Sequence, residues 1–206
     1  EGLLRWCDRY ATLAREKAAV CKDAQRKKEL EEIAVIMDHV LRRTPESFRE
    51  ALQGFILVHI VLCYIDRAGF GCLARVDQMW WEPFRKEKEA GTLSDGQAIE
   101  YLECLWLKMI DLGYWFPRKR RSHFDGNSLL QTLTVAGVKK DGTDACNDLT
   151  HVVMDSVRSA RQNQPTFNFR YHPNVSEKAL EHAIEVVKTG MGMPAFLNDE
   201  LMTYSL

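Results

Sequence analysis

The chain has 206 residues, 46% of them hydrophobic and 28% charged, enough apolar material for one ordinary globular core. Its 28 basic and 29 acidic side chains leave a net charge of −1, which gives no field to gather nucleic acid or an acidic membrane. Six cysteines, at 7, 21, 63, 72, 104 and 146, form no Cys-x-x-Cys pair and no zinc-type Cys/His spacing, so they read as free thiols of a reducing cytoplasm and exclude a disulfide framework.

In chain order, the stripe Leu4, Tyr10, Ala14 and Ala18 predicts a helix over residues 2–22, broken at Asp23. Leu30, Ile33, Ile36, Met37 and Val40 predict a second over 25–41, with Lys27, Lys28, Glu29, Glu31 and Glu32 on its solvated face. Thr44-Pro45-Glu46-Ser47 reads as a helix start with Thr44 as cap and Pro45 first in the helix; Phe48, Leu52, Phe55 and Val58 or His59 then run down one face. The apolar run over 55–65 falls short of the roughly 20 residues of a membrane span and reads as a helix buried on nearly every side. Residues 1–67 thus form a mainly helical outer layer.

Residues 68–74 read as a glycine-containing loop or short strand, and 76–90 as one helix whose Trp80, Trp81 and Phe84 belong to the core. Ser94 caps a helix over 95–112. Residues 113–122 are irregular, and Arg118-Lys119-Arg120-Arg121 is a solvated loop. Residues 129–138 are apolar and Thr-rich, a strand buried on both faces as in a parallel sheet. A turn at Lys140-Asp141-Gly142 leads to Asp144 as cap of a helix over 145–161, and a second strand follows at Thr166–Tyr171, parallel to the first. Ser176 caps a helix over 177–189 with Ala179, Ala183, Val186 and Val187 inward; Gly190 and Gly192 end it before a short strand at 194–197. Residues 68–206 therefore read βαβαβ, an α/β fold with an unfinished parallel sheet. His123, His151 and His172 lie on different elements without metal spacing and read as surface or satisfied histidines. No phosphate loop and no Ser-His-Asp set can be nominated.

Four blocks carry a resemblance: Arg75-Val76-Asp77-Gln78; Gln131-x-Leu133-Thr134-Val135-x-Gly137-Val138-x-x-Asp141-Gly142-x-Asp144-Ala145-x-Asn147; Gln164-Pro165-Thr166-Phe167-Asn168-Phe169-Arg170-Tyr171-His172; and Gly190-Met191-Gly192-Met193-Pro194 through Glu200. Their order and intervals resemble the glycyl radical enzyme family related to pyruvate formate-lyase, and the helix start Phe48–Gln53 is similar as well. One departure is Ala136, where the family has the first of two glycines. The resemblance implies an α/β partial barrel, the first half of a ten-stranded glycyl radical enzyme-type barrel with an outer helical layer, within a single domain.

It also implies a radical mechanism: a backbone glycyl radical oxidises a cysteine, and the thiyl radical takes a hydrogen atom from a small-molecule substrate. The family's motifs for these residues, Gly-Cys-x-Glu and Arg-Val-x-Gly, are not in the sequence; Gly71-Cys72-Leu73-Ala74 lacks the acid. The chain therefore reads as an internal portion, inactive alone, with no catalytic residue, no metal and no bound cofactor of its own. The radical, outside this chain, is installed by a radical S-adenosylmethionine activase; the family's homodimeric assembly and anaerobic cytoplasm are expected too, without nucleic acid or membrane. What carries over is pocket wall: Phe70, Gly71 and Cys72 before the Arg-x-Asp-Gln block, and Gln131, Thr132 and Thr134 beside it. Phe70 and Gly71 replace a His-Ser pair of polyol-dehydrating members, which favours decarboxylation or carbon–carbon chemistry on an apolar or aromatic acid. Alternatives are a pyruvate formate-lyase or dehydratase type, or a non-catalytic half-barrel subunit. Arg75 and Asp77 are expected to form an ion pair that fixes a loop.

Overall fold

The computed structural model describes residues 1–65, 72–112 and 131–204. Helices α1 (Gly2–Val20) and α2 (Ala24–His39) pack on each other, α2 being capped by Asp23, whose side chain accepts from Arg26 N. The buried stripe of α1 is Cys7, Ala11, Ala14 and Ala18; Tyr10, expected inside, is 50% exposed, because the small side chains are the ones that let α2 approach. Helix α3 (Phe48–Ile60) starts at Ser47, not Thr44. Ser47 Oγ accepts from Glu50 N at 3.1 Å and Glu50 Oε2 accepts from Glu46 N at 2.8 Å, so two backbone donors are satisfied where a Thr44 cap would satisfy one. Gly54 admits Val40, which would stand 3.2 Å from a β-carbon there.

A π-helical turn, Val61–Ile65, prolongs α3. The combined segment Phe48–Ile65 is 18 residues with mean hydropathy 1.5, long and apolar enough by those measures to cross a membrane. It nevertheless buries Glu50 and His59, both hydrogen-bonded within the fold, as a core helix does. Burial on nearly every side is not what is found: Val58, Leu62 and Ile65 are exposed along one face.

Strand β1 (Cys72–Arg75) leads into α4 (Val76–Met79) and α5 (Trp81–Glu89), two helices where one was expected. Pro83 has no N–H for the Met79 carbonyl, and the Asp77 carbonyl accepts from Asn147 Nδ2 at 3.0 Å, so the helix breaks at Trp80. Helix α6 (Asp95–Leu112) follows with its Ser94 cap, as the sequence indicates. Residues 113–130, which include the basic run and His123, lie outside the described residues.

Strand β2 (Thr132–Ala136), helix α7 (Asp148–Ala160), strand β3 (Thr166–Tyr171), helix α8 (Glu177–Val187), strand β4 (Ala195–Asn198) and helix α9 (Asp199–Tyr204) complete the described fold. The cap of α7 is Asn147, in a box with Thr150, and not Asp144. Val187, expected inward on α8, is 44% exposed. The four strands form one parallel sheet in sequence order. Leu133, Val135, Phe167 and Phe169 project to one face and are fully buried in a core shared with α6, α7 and α8. Their neighbours Thr132, Thr134, Thr166 and Asn168 project to the other face and are only half-buried. The strand expected to be buried on both faces is covered on one.

Candidate functional site

The rim at the C-terminal ends of the strands is crowded with polar groups, and each has a scaffolding task. Strand β2 ends at Ala136 and Gly137, with φ of 65° and 87°. A β-carbon on Gly137 would lie 3.0 Å from Arg170 Nε and 3.1 Å from Asp199 Oδ2, so only glycine fits. The turn that follows is held by the Arg-x-Asp-Gln block. Arg75 Nη1 donates to the Val138 carbonyl at 2.9 Å, Asp77 Oδ2 accepts from Ala136 N at 2.8 Å, and Gln78 Nε2 donates to the Ala145 carbonyl at 2.8 Å. Arg75 and Asp77 thus fix a loop, as expected, but through its backbone; no ion pair joins them among the described residues. Asp77 also accepts from Thr150 Oγ1 at 2.7 Å, and burial pushes its carboxyl up against the pull of these bonds. Asp199 accepts from Val138 N at 2.8 Å and pairs with the Arg170 guanidinium.

Asp144 gathers the next layer. It accepts from Cys146 N and Ser176 N, each at 3.0 Å, and meets His172 Nε2 at 3.3 Å. Burial works against its charge, yet these hydrogen bonds hold its carboxyl below the usual range. His172 is therefore a satisfied histidine. Burial and the adjacent Asp144 push the Cys146 thiol up, so it stays protonated and is not a nucleophile.

The opposite rim contains the predicted wall. Phe70 and Gly71 lie outside the described residues. Cys72 opens β1 and stands in register with Thr132, which pairs with Thr166. Thr134 pairs with Arg75 on one side, across a register shift at Ala74, and with Asn168 on the other. The structure therefore brings Cys72, Thr132 and Thr134 together on neighbouring strands. Gln131 goes elsewhere. It is fully buried, and its Nε2 lies 2.7 Å from His59 Nε2 on α3. Burial pushes His59 down, so the neutral ring accepts this bond and turns Nδ1–H toward Cys63 Sγ, 3.6 Å away. His59 and Cys63 are four residues apart, a helical spacing that the sequence reading passed over.

Sequence reasoning named Thr132 and Thr134 but missed Thr166 and Asn168 beside them. Thr132, Thr134, Thr166 and Asn168 form a polar, uncharged patch on the face of the sheet that the helices leave open. Period-two alternation in Thr166-Phe167-Asn168-Phe169 was the available signal. Such a patch can hydrogen-bond a small polar molecule, and it offers no base or nucleophile. No group of three or more His, Cys, Asp or Glu side chains among the described residues is placed to hold a metal.

A family model described as pyruvate formate lyase-like matches residues 1–206. An isethionate sulfite-lyase of Bilophila wadsworthia is 31% identical over 202 residues, covering 97% of this chain and 24% of that protein. The glycyl radical subunit of a 4-hydroxyphenylacetate decarboxylase from Clostridioides difficile is 27% identical over 199 residues, 97% of this chain and 22% of that one. A solved structure concerned with 1,2-propanediol dehydration in Roseburia inulinivorans superposes with a TM-score of 0.90 at 33% identity, over 96% of this chain and 25% of the other. The chain thus spans about a quarter of the length of the proteins it matches.

Proposed function

Because the chain belongs to the pyruvate formate lyase-like family of glycyl radical enzymes, we propose that it is the first half-barrel of a radical lyase that cleaves a carbon–carbon or carbon–heteroatom bond in a small organic substrate. The observation that supports this reading is the half-open sheet: four parallel strands, helices packed on one face, and a polar row on the other. A sheet curved around a reaction chamber needs such sidedness, with the packed face outward. In this reading residues 1–67 are the outer layer, residues 68–206 supply the staves, and all belong to one domain.

Hydrogen-atom transfer is the chemistry that a glycyl and a cysteinyl radical outside this chain would supply. The chain's own share is shape and hydrogen bonding. Phe70, Gly71, Cys72, Thr132 and Thr134 form part of the wall, and Gln131 fixes the rim beneath it through His59. Phe70 in place of a hydrogen-bonding pair favours a substrate with an apolar or aromatic body, and so a decarboxylase or carbon–carbon lyase over a polyol dehydratase. The partners are a radical S-adenosylmethionine activase and a second copy of the protein, in an anaerobic cytoplasm. Electron paramagnetic resonance tests the reading. The whole protein, reduced and treated anaerobically with its activase, is expected to show a carbon-centred glycyl radical that oxygen destroys. No radical under those conditions, or a radical and turnover in residues 1–206 alone, would overturn it.

A further inference from the structure

Asparagine is depleted in strands because its side chain competes with the backbone for hydrogen bonds. Asn168 nevertheless sits at the centre of β3, between the fully buried Phe167 and Phe169. It is half-buried, and its carboxamide makes no hydrogen bond among the described residues. In register beside it stand Thr134 on β2 and Ala195 on β4, a hydroxyl on one side and a single exposed methyl on the other. The small neighbour leaves the carboxamide reachable from the open face. Two guanidinium groups border the row: Arg170, two residues on, is paired with Asp199, and Arg75, in register with Thr134, donates from Nη1 to the Val138 carbonyl while its Nε and Nη2 have no hydrogen-bond partner among the described residues. The four side chains of the row, Thr132, Thr134, Thr166 and Asn168, are themselves polar and uncharged.

We propose that Asn168 is a specificity-determining residue, whose carboxamide, next to the Thr134 hydroxyl, receives an uncharged hydroxyl group of the substrate. A carboxamide and a hydroxyl can each donate and accept, which matches an alcohol or phenol. The four side chains of the row carry no charge of their own to hold a carboxylate or sulfonate. The proposal rests on the reading that the open face lines the reaction chamber. It adds which chemical group that face selects.

The test compares two probes that differ by one hydroxyl, 4-hydroxyphenylacetate and phenylacetate, by equilibrium binding to the whole protein. Wild type is expected to bind the hydroxylated probe about tenfold more tightly, the worth of one good hydrogen bond. Asn168→Val suits a strand and removes the carboxamide. It is expected to bring the ratio near one while affinity for phenylacetate is unchanged. Asn168→Ser keeps a hydroxyl and should retain part of the preference; it decides the matter if the valine variant melts early. No preference in wild type, or the same preference in wild type and Asn168→Val, overturns the proposal. The radical measurement separates the two claims. A radical without discrimination removes Asn168 alone, whereas discrimination without a radical leaves the Asn168 contact standing and removes the lyase.

Discussion

Asp77 has no contact with solvent, and two donors converge on one of its oxygens, the Ala136 amide and the Thr150 hydroxyl. Asp77→Ala leaves the Ala136 amide buried without an acceptor and the Thr150 hydroxyl with only its 3.4 Å contact to Asn147 Oδ1, at about 1–3 kcal/mol each. Urea unfolding should therefore show a loss of about 2–6 kcal/mol; a loss under about 1 kcal/mol would mean that the turn is held by something else. Ala136 carries the opposite lesson. Its φ of 65° is strained for any residue with a β-carbon, and this is the position where the family has glycine. Ala136→Gly is expected to stabilise the protein by about 1 kcal/mol through relief of that strain. An unchanged or lower midpoint would show that the buried methyl contributes more than the strain costs. The importance of both residues was legible in the sequence as motif and departure. Their partners were not, because Asp77 meets Ala136 and Thr150 from 59 and 73 positions away.

Between elements, the pairing of α7 with α8 contains a device that no spacing rule reveals. His151 and His182 approach with Nδ1 atoms 2.9 Å apart, ring centroids 5.2 Å apart and planes within 19°. The centroid distance exceeds the nitrogen distance by about two ring radii, so the rings meet head-on and share one hydrogen bond. Asp155 Oδ1, 3.0 Å from His182 Nε2, holds the proton there, so His182 Nδ1 accepts and His151 Nδ1 donates. Burial first, then His182 and Lys178, push His151 down, against Asp148 and Asp155; Glu181, Glu185 and Lys188 line the same cleft, and Arg158 pairs with Asp155. The unfolded chain therefore takes up this proton more readily than the folded one. Stability is full above the ordinary histidine value of 6.5 and falls as the pH drops through the lowered folded value. Melting temperature should fall between about pH 7.5 and about pH 5, and His151→Leu should flatten part of that fall. An equal fall in the variant would clear the pair of any role.

Element identity was largely readable: β3 has the predicted bounds, and α6 runs from its Ser94 cap as expected. Two of the errors fall at helix starts, where Thr44 and Asp144 are plausible caps in sequence. Asn147 won because it builds a reciprocal pair with Thr150, and Ser47 because it accepts from Glu50 N while the Glu50 carboxylate accepts from Glu46 N. Asp144 was then free to tie α8 to the turn. Pairings between distant elements, such as Gln131 with His59, leave no mark in local pattern, and that is why Gln131 was grouped with a face it does not share.

At the scale of the whole molecule, the sheet has two edges in the described chain, β1 and β4, and an open polar face between them. Phe196 on β4 and Leu201 and Tyr204 on α9 are exposed, an apolar margin at the β4 edge. Relatives are about four times as long, and a solved structure shares the fold over this span. The most direct measurement is a crystal structure of the whole polypeptide. Strands are expected to continue from β1 and β4 into a closed barrel, with Thr132, Thr134, Thr166 and Asn168 facing its interior within reach of the loop that carries the cysteine. A sheet left open, or that row covered by packed helices far from any cysteine loop, would contradict this expectation.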